Sequence, residues 1–351
     1  MTLADHIATL IAANGPISIA EYMQECLLHP TMGYYTTQKP FGAEGDFITA
    51  PEISQMFGEL IGLCLAQTWM DQGCPSPFIL AELGPGRGTL MADVLRATKA
   101  VPDFLAAADI HLIEASPRLQ DIQRATLSSH TPNFTTLDAL PDQPVFFIAN
   151  EFFDALPIRQ FQRAGTGWRE RQIGVQGADL TLGLGPVMPQ PALADRLTDT
   201  KEGDIVEHAA RAGQIIASLG QRIASHGGAG LVIDYGDWRS LGDTLQAVKA
   251  HQHVGILDAP GTCDLTAHVD FEALARATPC AYSKLTPQGV FLERLGITNR
   301  ATALAKPLEG AALDTHIRAH RRLTHPDEMG NLFKVLGLFP QGMPPPAGLE
   351  S

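Results

Sequence analysis

The sequence predicts an α/β protein built on a doubly wound parallel sheet, and three observations carry that reading. Largely apolar strand-length runs alternate with amphipathic helical stretches between residues 78 and 150, the pattern of a sheet covered on both faces. The first of these runs opens into a glycine-rich turn with Gly84, Gly86 and Gly88 ahead of a helix. The chain has 351 residues, more than one small core supports, so added segments around the sheet are expected.

Leu3, Ile7, Leu10 and Ile11 recur at helical spacing behind the capping-box pair Thr2 and Asp5, so a short helix opens the chain. A second begins at Ser18, with Glu21 three residues on. The loop between Pro30 and Pro51, rich in Gly, Thr and Tyr, is longer than a compact connection needs. Ile53, Met56, Phe57, Leu60, Ile61, Cys64 and Leu65 give a helix over 53–70 with a buried face. Strands are expected at 78–83, 110–115 and 145–150, with helices at 89–98 and 117–127 between them. After Pro157 the periodicity drops to two through PIRQFQR, WRERQIGV and ADLTLGLGP, an antiparallel meander. Helix signals return at 205–225, and GAGLVIDYGD (228–237) is a buried strand. Residues 299–323 read as helical with an exposed basic face, 329–338 as a last strand or helix, and the Pro/Gly-rich end as frayed. The segmentation that follows has an N-terminal helical region with a covering loop (1–75) and a ligand-binding core (76–160). An inserted meander and helix facing the substrate or partner come next (161–227), then the rest of the sheet with C-terminal helices (228–340) and a flexible tail (341–351).

Hydrophobic residues are 45% and charged residues 18%, which excludes a disordered or low-complexity chain. The formal charge of −13 and the lack of any basic run exclude an extended nucleic-acid surface. That acidity serves solubility or a cationic partner. The five cysteines are scattered, with no C-x-x-C pair, so neither a disulfide framework nor a metal site is expected. No apolar stretch is long enough to span a bilayer. MTLADHIATL lacks the features of a secretory or mitochondrial presequence, so a cytoplasmic protein is expected.

Chemistry first shows in AELGPGRGTL. Here Glu82 ends a strand, and Gly84, Gly86 and Gly88 let backbone line the crevice at the sheet's carboxyl edge. A nicotinamide fingerprint would need glycine where Thr89 stands, and an acid this close would repel a pyrophosphate. The same acid suits the ammonium of a bound amino acid. S-adenosyl-L-methionine carries that ammonium and no phosphate, and its product S-adenosyl-L-homocysteine keeps it. Glu114 follows about 30 residues past Gly84, where an acid accepts from ribose hydroxyls. Asp138 is placed either to accept from the adenine amine or to cap a turn.

Asn150 and Glu151 fall at the end of the next strand, and Asp154 lies three residues on. A methyl sulfonium is already electrophilic, so transfer needs alignment and a nucleophile lone pair more than acid or base help. A guanidinium nucleophile needs carboxylates that fix its plane and leave one nitrogen free, and Glu151, Asp154 and Asp46 could supply them. The competing reading makes Asp154 the cap of a helix from Ala155, with Glu151 bonding backbone.

With HPTMGYYT (29–36), GDFITAPEISQMFGELIG (45–62), ELGPGRGTL (82–90), NEFFDALP (150–157), VIDYG (232–236) and DLTAHVDF (264–271) in this order, the chain resembles the MidA-like family of class I methyltransferases along nearly its whole length. The resemblance implies a Rossmann-like class I methyltransferase fold. It also implies protein arginine methylation of a core subunit of NADH:ubiquinone oxidoreductase (complex I), in its quinone-reducing module, in support of assembly. The family's eukaryotic members are mitochondrial. The resemblance makes Gly45, Asp46, Phe47 and Thr49 part of a loop closing over the cofactor. It places His268 and Asp270 on the substrate side, where a core or capping role for His268 is the other reading. Three alternatives stay open: a small-molecule methyltransferase, an assembly chaperone that binds the cofactor without turnover, and, more distantly, a dehydrogenase.

Overall fold

The computed structural model describes residues 1–37 and 49–351. It divides into two compact units, each assembled from separate stretches of chain. The smaller takes Met1–Phe47, Asp154–Ala212 and Arg239–Asp270, and the larger takes Ile48–Phe153, Gly213–Trp238 and Phe271–Ser351.

Strands and helices of the larger unit are numbered within it. Its sheet comprises β1 (Phe78–Leu83), β2 (Ala108–Ile113), β3 (Asn133–Phe134), β4 (Val145–Asn150), β5 (Gly228–Asp237), β6 (Ala281–Tyr282), β7 (Thr286–Pro287) and β8 (Phe333–Phe339). The order is β6-β8-β5-β4-β1-β2-β3, with β7 also on β8. From β5 to β3 every pairing is parallel, as expected; β8 runs antiparallel to β5, from Gly230 opposite Leu338 to Tyr235 opposite Phe333. Every residue of β1 and β4 is buried, which is why these strands are apolar in the sequence except at Glu82 and Asn150. Leu83 lies opposite both Ile113 and Ala149, so β1, β2 and β4 end nearly level at one edge, while β5, with Ile233 opposite Asn150, runs on to Asp237.

Helices α1 (Ala50–Ile53), α2 (Gln55–Asp71), α3 (Thr89–Thr98), α4 (Pro117–Thr126), α5 (Ile297–Ala305) and α6 (Gly310–Thr324) belong to the same unit. Where one helix was expected from residue 53, extended Ser54 separates α1 from α2 and caps α2 by accepting from the Met56 N–H. Helices α2 and α3 pack so closely that a Cβ on Gly62 would sit 2.9 Å from the Val94 Cα. Buried Glu59 of α2 binds Arg96 of α3 at 2.6 Å and Arg300 of α5 at 2.8 and 3.0 Å, and Arg96 also pairs with Asp93. The 299–323 stretch is two helices, α5 and α6, interrupted around Pro307, and Arg318, Arg321 and Arg322 form an exposed basic face on α6. The C-terminal end is not frayed. Leu349 is buried in the main core, and the Lys284 N–H donates to the Glu350 carbonyl at 2.7 Å.

In the smaller unit, helices Leu3–Asn14 and Ile19–Leu28 both carry the expected capping boxes. The meander is present as strands Arg159–Ala164, Gly167–Gln176 and Asp179–Met188. Helix signals from 205 resolve into a strand, Ile205–His208, paired with Arg159–Ala164, and the helix begins at Ala210. No helix follows Asp154: the chain turns there and enters the Arg159–Ala164 strand, so the capping reading of that acid fails. Among the described residues no helix is long and apolar enough to cross a membrane.

Candidate cofactor and active site

The glycine turn stands at the carboxyl edge of the sheet, directly after β1. Gly84, Gly86 and Gly88 have φ of +61°, +53° and +80°, left-handed conformations that side chains resist. A Cβ on Gly84 would also lie 2.9 Å from the Phe152 ring. The turn is tied from outside, because Glu52 of α1 accepts from the Thr89 hydroxyl at 2.6 Å and from Arg87 at 3.4 Å.

Glu82 is 3% exposed, and its Oε2 has no hydrogen-bond partner among the described residues. Burial pushes its carboxyl up to about 8, opposed by a hydrogen bond from the Met91 backbone and reinforced by the charge of Glu114. Glu114 sits one residue beyond β2, since that strand runs from 108 to 113 and not 110 to 115. Its Oε1 accepts from the Ser116 N–H at 2.7 Å and its Oε2 from the Gln123 amide at 3.1 Å. Burial raises its pKa, and those two hydrogen bonds oppose the rise. Among the described residues no ion pair reaches either acid. Asp138 is exposed in the 3₁₀ turn Leu137–Ala139, which Arg222 steadies by donating to the Pro141 carbonyl at 2.9 Å.

Asn150 and Glu151 close β4. Glu151 has φ of +51°, an uncommon conformation for a residue with a side chain, and one that clusters at functional sites. Its N–H donates to the Ile233 carbonyl, while its Oε1 accepts from the Ala50 N–H at 3.1 Å and the Asn150 amide at 3.0 Å. Glu151 therefore takes the place at the start of α1 that Thr49 leaves open, since Thr49 makes no side-chain cap. Buried Asp234 accepts from the Phe153 N–H at 3.0 Å and fixes the exit from this corner.

The smaller unit holds Asp154 and His268. Asp154 is 6% exposed, and its carbonyl accepts from the Ala267 N–H. The His268 N–H donates to the Thr244 hydroxyl at 2.8 Å, and Tyr35 donates to Asp264 at 3.0 Å. Asp270 accepts from the Ser240 N–H and lies 3.7 Å from buried Arg196. Gly45, Asp46 and Phe47 lie outside the described residues. His6, Glu25 and His29 bring ligand atoms within 4.8 Å of one another. The His29 Nδ1 accepts from the Thr31 and Met32 N–H groups, which leaves the ring proton on Nε2 and no lone pair for a metal.

Sequence reasoning missed Glu52, Gln123 and Asp234. Glu52 and Asp234 lie inside GDFITAPE and VIDYG, so a motif flagged them without a role. Gln123, in a plain amphipathic helix, carried no signal.

The crevice thus combines a buried carboxylate at Glu82, a half-buried one at Glu114 and a turn of bare glycine backbone. A family model for S-adenosyl-L-methionine-dependent methyltransferases matches residues 60–290. The protein arginine methyltransferase NDUFAF7, mitochondrial, of Danio rerio is 39% identical over 96% of this chain and 87% of its own length. The Homo sapiens protein of that name is 37% identical over 95% of this chain and 82% of its own. A Burkholderia thailandensis protein, crystallised with S-adenosyl-homocysteine bound, superposes with a TM-score of 0.85 at 29% identity, covering 99% of this chain and 93% of that one.

Proposed function

From the premise that this chain belongs to the family of S-adenosyl-L-methionine-dependent methyltransferases, we propose that it methylates an arginine side chain of a protein partner, a core subunit of NADH:ubiquinone oxidoreductase, in support of that complex's assembly. The observation that carries the arginine reading is the near full-length similarity to relatives named as protein arginine methyltransferases.

Bound in the crevice, the cofactor supplies a methyl group on a cationic sulfur. In this reading Glu82 pairs with its ammonium, and Glu114 accepts from its ribose hydroxyls. Asp138 accepts from the adenine amine, while Gly84, Gly86 and Gly88 let the backbone approach. Asn150, Thr49 and Gly45 complete the surround. The guanidinium is assigned to carboxylates, Glu151 with Asp154 and Asp46, because paired acids fix its plane and take the proton the attacking nitrogen gives up. His268 is the remaining substrate-side candidate.

The test supplies methyl-labelled cofactor with the purified quinone-module subunit and reads methylarginine by mass spectrometry. Label on arginine that disappears in Asp154→Asn supports the proposal. Label confined to a small molecule, or assembly support surviving Gly86→Val without any label, selects the small-molecule enzyme or the chaperone instead.

A further inference from the structure

Gln123 is completely buried on α4, and its side-chain nitrogen donates to two acceptors from different parts of the cofactor crevice. One is the Gly86 carbonyl at 2.8 Å, in the middle of the glycine turn; the other is the Glu114 Oε2 at 3.1 Å. The amide orientation is settled by these neighbours, because a carbonyl and a carboxylate both accept and only the NH₂ end can face them. The amide oxygen then points away, buried and without a hydrogen-bond partner among the described residues.

That orphan acceptor is informative. A buried acceptor without a donor is destabilising, and Leu or Met would fill the same space without it. Packing therefore does not explain the residue, whereas the two donated bonds do. The same side chain lies against the turn a second time, 3.5 Å from where a Cβ on Gly88 would stand. Glu114 is gripped by α4 and its N-cap at three points: the N-cap Ser116 N–H on Oε1, the Gln123 amide on Oε2, and the Gln120 amide on its carbonyl at 2.9 Å. Of the three, only Gln123 also reaches the glycine turn.

We propose that Gln123 is a positioning residue for the cofactor's ribose, coupling the Glu114 carboxylate to the Gly86 turn so that acceptor and backbone floor meet the nucleoside in one fixed geometry. The inference rests on the assignment of Glu114 to the ribose hydroxyls. By this account Gln123 touches no ligand and acts through Glu114 and Gly86.

The experiment is isothermal titration of wild type, Gln123→Met and Gln123→Glu with S-adenosylhomocysteine and with its analogue lacking both ribose hydroxyls. Thermal melts of the ligand-free proteins check folding. Gln123→Met should weaken S-adenosylhomocysteine binding about tenfold, the scale of one lost charged hydrogen bond, and leave the analogue nearly unaffected. Gln123→Glu, which replaces the donor by a second carboxylate at the same place, should weaken it further at neutral pH. Equal losses for the two ligands would reduce Gln123 to packing, and no loss in a folded variant would overturn the proposal directly. Wild type separates the two layers: if it binds both ligands equally, the assignment of Glu114 is what fails, and the proposal falls with it.

Discussion

The carboxylate of Glu52 and the hydroxyl of Thr89 meet at 2.6 Å, so the helix leaving the glycine turn is pinned at its first residue by the short helix before α2. Arg87, inside the turn, leans on the other oxygen of the same carboxylate. Glu52→Ala should therefore loosen the cradle without removing a proposed ligand contact. The expected result is a rise of about three- to tenfold in KM for the cofactor, with a stability loss of only about 1 kcal/mol. An unchanged KM would mean that the turn holds its shape without this tie.

Glu82 carries a stability cost at high pH, which the ammonium partner proposed for it would relieve. Its folded pKa, about 8, stands above the usual carboxyl value of 4.5, so its contribution to stability is complete at low pH and is lost as pH rises from about 4.5 towards 8. Glu82→Gln should melt higher than wild type at pH 8.5 while binding S-adenosylhomocysteine at least tenfold more weakly. Titration near pH 7 in buffers of different ionisation enthalpy should show wild type, but not the variant, releasing a proton on binding. A variant that binds normally would remove Glu82 from the ammonium site.

Glu114→Ala should cost about 1.5–3 kcal/mol of cofactor affinity, the range for a charged hydrogen bond, read by titration. Its folded pKa is also raised, so protonation at low pH should weaken binding in wild type, and that limb of the profile should be missing in the variant.

Asp154→Asn should preserve cofactor affinity and lower turnover, since the side chain is buried and no helix follows it to be capped. Equal turnover would assign it to the turn alone. Initial rates at saturating cofactor, beside a binding isotherm, separate these outcomes.

Glu59→Ala should destabilise the larger unit by about 1–3 kcal/mol, less than a fully buried pair would, because Arg96 and Arg300 are each about 40% exposed and remain partly solvated. Chemical denaturation measures it, and cofactor affinity should be unchanged.

The sheet was legible because strands buried on both faces leave largely apolar runs such as FILAEL and VFFIAN, and the meander because its alternation is broken by Gly-containing turns. The break at Ser54, the missing helix after Asp154 and the docked end at Leu349 were not legible. Each depends on a partner distant in sequence or on a single dihedral, neither of which periodicity records. The site divides the same way. Glu82 stands out in the sequence two residues ahead of Gly84, and Glu114 as an acid at the end of an apolar run. Gln123 and Asp234 bond backbone or carboxylate groups of other segments, and their spacing says nothing of it.

The placement of β8 bears on how the protein is made. Synthesis proceeds from the N-terminus, so β5 emerges long before Phe333–Phe339, the strand that covers its free side. Until then the nascent sheet presents an apolar edge, Leu231 to Ile233, open to pairing with any other extended chain. The same strand supplies the Ile233 carbonyl that holds the Glu151 corner. A polypeptide interrupted before residue 333 would thus expose an unpaired apolar edge and leave the Glu151 corner on a strand without its outer neighbour.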